Sequence, residues 1–226
     1  MKKNKLVIPF FVVVLLLQVV TLAQYAPRQD AVWARTVPAG TITLDGILNE
    51  AAWSQAESFE INYGQDGPLP TSGWRAEFQP DTVTDPTHAT VKFLVSSDNQ
   101  LWLAFDIPDS SVGGNKDWAR WDGILASIRS LGADNMAYAA EFFYTYWTAG
   151  RQFPDSVKVD GGPYFVSGNT NNAFATWGVD DRTPEQIANW DAKTVIVGGH
   201  SNDAGRDEGW VVEMRFNLAA LGYDVT

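Results

Sequence analysis

Val91-Lys92-Phe93-Leu94-Val95-Ser96-Ser97-Asp98-Asn99-Gln100-Leu101-Trp102-Leu103-Ala104-Phe105-Asp106 is the stretch that sets the fold class. Val91, Phe93 and Val95 alternate with Lys92 and Leu94, and Leu101, Leu103 and Phe105 alternate with Trp102, Ala104 and Asp106. A period of two is the signature of a strand. Ser97 to Gln100 supplies turn chemistry between the two runs. The stretch therefore predicts a β-hairpin with one face buried.

Outward from the hairpin the pattern is strand after strand. Thr41–Leu44, Ile124–Arg129, Ala137–Tyr146, Ala173–Val179, Thr194–Val197 and Gly209–Phe216 all read as strands. In the last, Val212, Met214 and Phe216 point one way and Val211, Glu213 and Arg215 the other. Helix signals are few. Asn49 is placed to cap a short turn through Trp53, and Leu218 to Leu221 forms another turn ended by Gly222. Gly, Pro, Asn and Asp cluster at 64–73, 79–88, 108–117, 160–172 and 198–209, which predicts long loops. Many short strands with little helix predict an all-β, two-sheet antiparallel β-sandwich.

The N-terminus predicts export. Lys2, Lys3 and Lys5 precede an apolar run from Leu6 to Leu17, and Thr21-Leu22-Ala23 offers small residues at a cleavage site. That order predicts a signal peptide at 1–23 and a mature domain at 24–226, secreted, periplasmic or on the cell surface. A membrane anchor would need about 20 apolar residues, and Pro9 and Gln18 interrupt the run. After cleavage no second long apolar run follows.

Composition narrows the chemistry. The net charge is −11, and losing Lys2, Lys3 and Lys5 takes it to −14. Such a body is repelled by phosphate backbones, which argues against nucleic acid as a partner. There is no cysteine, so disulfides, thiolate metal sites, a cysteine nucleophile and covalent haem are excluded. The only histidines are His88 and His200. No Gly-x-Ser-x-Gly, His-Glu-x-x-His or Walker pattern occurs. Glu141 stands alone on an aromatic strand, as an outward-facing strand residue would. The sequence thus predicts a binding module and not an enzyme.

Three segments, in order, resemble the family 9 carbohydrate-binding modules and their DOMON-type relatives. The first is Ile42-Thr43-Leu44-Asp45-Gly46-Ile47-Leu48-Asn49-Glu50-Ala51-Ala52-Trp53. Here Asp45-Gly46 makes a tight turn, and Trp53 is expected to fold back as an apolar plug over the sandwich end. The second is the hairpin with its flanks, Ala89 to Asp109. The third is the Trp210-led strand with its central Glu213, closed by Leu221-Gly222. The family's central "Asp-Ser-Val-Glu" strand stands here as Trp121-Asp122-Gly123-Ile124-Leu125, which keeps the Asp and loses the Glu. Relatives run on for one or two further strands beyond the Leu-Gly turn, so the resemblance implies that this chain stops short of them at Thr226.

The resemblance implies binding of an oligo- or polysaccharide by a module of a larger glycan-degrading or surface protein, in which a glycoside hydrolase is a natural companion. Ten tryptophans offer flat apolar faces for sugar rings. Trp118 and Trp121, beside Arg120 and Asp122, are the leading carbohydrate-binding candidates, with Trp121 as the stacking platform. Trp177 follows, with Trp147 and Trp190, while Trp33, Trp53, Trp102 and Trp210 are expected to be structural. The resemblance also implies a structural Ca2+. Hard oxygen ligands are available from Asp106, Asp109 and Asp117 in one loop and from Asp203, Asp207 and Glu208 in another. A rival reading is the b-haem of some DOMON-type sandwiches, with Met136, Met214, His88 or His200 as axial ligands. A third is a structural module without a ligand.

Overall fold

Ten strands form two sheets in the computed structural model, which describes residues 32–65, 71–74, 86–114, 122–128, 143–147, 165–169, 182–199, 201 and 205–223. The strands are β1 (Arg35–Val37), β2 (Glu57–Tyr63), β3 (Thr71–Trp74), β4 (His88–Ser96), β5 (Gln100–Pro108), β6 (Gly123–Ala126), β7 (Phe143–Trp147), β8 (Phe165–Asn169), β9 (Trp190–Val197) and β10 (Gly209–Asn217). The larger sheet has the order β3-β2-β4-β5-β10-β9, with β1 also on β4; the smaller is β6-β7-β8. Most pairs are antiparallel as expected, but β1 with β4 and β2 with β3 are parallel.

The β4–β5 hairpin has the expected register, from Ser96 opposite Gln100 to Thr90 opposite Asp106. Its turn is carried by Asn99 at φ 62°, a left-handed conformation that Asn tolerates better than most residues. The expectation of one buried face is corrected. On one face Val91, Leu103 and Phe105 join Val212, Met214, Phe216 and the smaller sheet's Phe143 in the main core. Phe143 meets Trp190 and Phe216 edge-on, and Phe165 stacks on Trp210. On the other face Leu94, Trp102 and Ala104 pack under Val37, Ile42, Ala52 and Trp53 in a second core. The N-terminal stretch is thus a third layer over the outer face of the larger sheet. Central strands buried on both faces lose the apolar–polar alternation that marks a half-exposed sheet.

Several local expectations change with it. Thr41–Leu44 is not a strand but the start of this covering stretch, in bends and turns. The cap of the short 3-10 turn at Ala51–Gln55 is Glu50, not Asn49. Trp53 lies on the face of the larger sheet and not over the sandwich end, 2% exposed. β8 occupies part of the stretch 160–172 and β3 overlaps the end of 64–73, both expected to be loop. A helix not expected from the sequence, α1 (Pro184–Asn189), starts at a reciprocal capping box of Thr183 and Gln186, with Pro184 in the first turn. Leu218 to Gly222 is the predicted turn, closed by Gly222 at φ 82°. The strand expected at Ala173–Val179 lies outside the described residues.

Candidate functional site

The two residues that flank 114–121 hold each other. The Gly113 amide donates to Asp122 Oδ2 at 2.6 Å, and the Asp122 amide donates to the Gly113 carbonyl at 3.0 Å. Asp122 is also tied to the smaller sheet, because the Trp147 amide donates to its carbonyl at 2.8 Å. Trp118, Arg120, Trp121 and Asp117 belong to the segment between them and lie outside the described residues, as does Trp177. Asp122 itself is partly buried. Its carboxyl is pushed up to about 8, first by burial and then by the charge of Asp109, with the Gly113 amide opposing and Asp207 adding to the rise.

Asp207 reaches the same place from the connection before β10. Its Oδ2 accepts from the Val112 amide at 2.7 Å, and its own amide donates to the Ser110 carbonyl at 3.3 Å. Asp109 sits just past the end of β5, where its Oδ1 accepts from the Ser111 amide. Of the expected calcium ligands, Asp106 instead stands exposed within β5, opposite Thr90 and Val211. Glu208 is exposed and Asp203 lies outside the described residues. Asp109 and Asp207 are thus near enough to Asp122 for their charges to act on its carboxyl, but the three do not meet closely enough to share one ion.

A second carboxylate group lies under the N-terminal layer. Glu213 is completely buried, on the outer face of β10 between Ala104 and Lys193 in the register. Its Oε2 accepts from the amides of Asp45 and Gly46 at 3.0 and 2.8 Å, and its Oε1 accepts from Trp53 Nε1 at 3.0 Å. The first and third motif segments of the sequence meet at this one side chain. Burial pushes the Glu213 carboxyl up and the three N–H bonds pull it back, with Glu50 adding to the rise. Carboxylate oxygens of Asp45, Glu50 and Glu213 lie within 4.8 Å of one another, close enough for one cation. Yet three donors already fill Glu213, so the group is built as an N–H cradle for an anion. Beside it opens a pocket of about 360 Å³, walled by Val37, Pro38, Ala51 and Ala52 with Glu50 and Gln55 at its edge.

The aromatic residues sort differently from expectation. Trp147 and Trp190, proposed above as ligand platforms, are 0% and 1% exposed and belong to the core. Arg182 lies over the Trp190 ring at 4.2 Å while bonding Asp191 at 2.8 Å, which accounts for its burial. Trp33, expected to be structural, is 59% exposed, with its amide held by Glu57. Trp53, Trp102 and Trp210 are buried as expected. Met214 is fully buried and packs in the main core. His88 is exposed beside Glu60, and Met136 and His200 lie outside the described residues.

No protein-family model matches the chain, and none of the curated proteins matches it. Among solved structures, a proposed carbohydrate-binding protein from Bacteroides uniformis matches with a TM-score of 0.41 at 8% sequence identity. The match covers 85% of this chain and 75% of that one.

Proposed function

We propose that the chain is a non-catalytic, saccharide-binding β-sandwich of an exported protein. The observation that carries this reading is the convergence of Asp45-Gly46, Trp53 and Glu213. These are the residues on which the resemblance to carbohydrate-binding modules rests, and they make one hydrogen-bonded unit. The main binding surface in this reading is the segment 114–121 with its flanking Asp122. Trp121 supplies a stacking face, and Trp118, Arg120 and Trp177 supply further contacts. An indole ring covers the apolar face of a pyranose, while guanidinium and carboxylate groups bond its hydroxyls. The role of Asp122 differs from a direct sugar contact. It closes the base of the segment by its two bonds to Gly113.

The buried acids are poor candidates for glycoside hydrolysis. Glu213 is fully enclosed under the N-terminal layer, and Asp122 is committed to Gly113. A general acid must reach the proton acceptor on the substrate.

Calorimetric titration of the mature protein with soluble oligosaccharides tests the reading. Binding in the micromolar to millimolar range, about −8 to −4 kcal/mol, is expected. Trp121→Ala should weaken it by about 1–3 kcal/mol without lowering the melting temperature. Lost stability with intact binding would make Trp121 a core residue. Release of reducing sugar by the pure chain, abolished by one carboxylate substitution, would make it an enzyme.

A further inference from the structure

Trp33 differs from the buried tryptophans in more than exposure. Its ring is 59% exposed, whereas Trp53, Trp102, Trp147, Trp190 and Trp210 are at most 7% exposed. A single exposed apolar residue is ordinary, but this one stands in a built setting. The Trp33 amide donates to Glu57 Oε2 at 3.0 Å, and Arg35 Nη2 donates to Glu57 Oε1. Both oxygens of Glu57 are thus taken, and they pin the backbone that carries the indole. The Arg35 side chain is 56% exposed and spends one nitrogen on that bond, so most of its five N–H donors stay open.

The same two chain segments wall the pocket beside the N-terminal layer. Val37 and Pro38 follow Arg35, and Ala51, Ala52 and Gln55 precede Glu57. Trp33 and Val37 are four residues apart, so their Cα atoms are separated by at most about 14 Å. The pocket's 360 Å³ falls within the range of small-ligand sites, roughly 300–1,000 Å³. Its walls are apolar and its edge carries hydrogen-bonding groups. The Gln55 amide is exposed and has no partner among the described residues. Thr41 Oγ1 donates to the Pro38 carbonyl at 2.8 Å and keeps its lone pairs for a further donor. Among the described lining residues Glu50 is the one charged group, and carboxylates of Asp45 and Glu213 lie within 4.8 Å of its own.

Apolar walls, a hydrogen-bonding edge and an aromatic ring within reach suit a chain of pyranose rings, each with an apolar face and a hydroxylated rim. The local excess of carboxylates repels an acidic chain. We propose that this face is a second saccharide site, in which one neutral sugar residue fills the pocket and a neighbouring residue of the same oligosaccharide stacks on Trp33. Gln55 and Thr41 bond hydroxyls in the pocket, and Arg35 bonds those between the pocket and the indole. The proposal rests on the saccharide-binding reading above, but it uses none of the residues 114–122.

The test is calorimetric titration with neutral tetrasaccharides of glucose, xylose or mannose, and with tetragalacturonate as the acidic control. Two neutral tetrasaccharides per chain are expected. Trp33→Ala should weaken one of the two binding events on the order of tenfold, and Gln55→Ala should weaken the same event about fivefold. Both residues are exposed, so both variants should melt like the parent. The Trp33 indole N–H resonance, identified by its loss in Trp33→Ala, should shift on titration of the parent, and Trp121→Ala should leave that shift in place. One ligand per chain, with both variants binding like the parent, overturns this site and leaves the reading at 114–121 standing. Binding abolished by Trp33→Ala and untouched by Trp121→Ala upholds this site and overturns the other. No binding of any neutral tetrasaccharide overturns both. Tetragalacturonate bound as tightly as the neutral chains, with the same loss in Trp33→Ala, overturns the preference for neutral sugar.

Discussion

Glu213 and Asp122 are both carboxylic acids that burial pushes toward the protonated form, yet their surroundings differ in kind. Around Glu213 the protein supplies two amides and an indole N–H. Hydrogen bonds to a charged group are worth about 1.5–3 kcal/mol each, so three of them offset a desolvation cost of several kcal/mol. Around Asp122 there is one amide donor and two further carboxylates. The first group is complete within the chain and joins the N-terminal layer to the larger sheet. The second has fewer donors, for Asp122 and Asp207 each accept one backbone amide. A buried acid therefore reveals little by being buried; its donors decide how far its charged form is stabilised.

The largest expected effect is at the first group. Trp53→Ala removes a nearly fully buried indole and one of the donors to Glu213. A loss of about 3–5 kcal/mol in denaturant unfolding is expected. Parent-like melting would show that the N-terminal layer contributes nothing to the cooperative unit, and the comparison would collapse.

Glu213→Gln comes next. A glutamine amide offers one acceptor where three donors point at two oxygens, so at least one donor loses its partner. A loss of about 1–3 kcal/mol is expected. An unchanged stability would mean that Glu213 is held protonated and that its donors matter less than the geometry implies.

Asp122→Asn should have the opposite sign. The folded carboxyl titrates at about 8 against 3.8 for the ordinary group. Because the folded value is the higher one, the group costs nothing below about pH 4, where both states hold the proton. Its cost grows as pH rises from about 4 to 8 and is full above that. Linkage sets a ceiling of roughly 5–6 kcal/mol, and relaxation of the flanks brings the expected gain for Asn to about 1–3 kcal/mol at pH 8. Asn retains an oxygen for the Gly113 amide. Equal stability of parent and variant at pH 8, or a difference that persists at pH 4, would remove the contrast between the two groups.

The smallest effect is expected at Trp33. Its ring is exposed, so Trp33→Ala should shift stability by no more than about 0.5 kcal/mol. A larger loss in chemical denaturation would place this residue with the structural tryptophans after all.

Much of the fold was legible. The hairpin at 91–106 and the faces of β10 followed from alternation alone, and the segment 42–53 announced its turn and its buried Trp53. The capping box at Thr183-Pro184-Glu185-Gln186 stood in the sequence too, but α1 was not expected from it. The phases of β4 and β5 were read correctly, but not the burial of both their faces. Alternation says which residues share a face, and it is silent on what covers that face. The same silence misassigned Trp33, Trp147 and Trp190, since a tryptophan beside polar neighbours reads alike whether its ring is covered or bare.

By itself the sequence determined the all-β class, the strand phases, the turn at Asn99 and the pairing of a small-residue turn with Trp53. Those follow from local periodicity and backbone preference. Only the tertiary structure decided which acids meet. Glu213 reaches Asp45 and Gly46 across 168 and 167 positions, and Asp207 reaches Val112 across 95. No spacing rule spans such distances, because the charge on a carboxylate is answered by whatever the fold brings beside it and not by its neighbours in the chain.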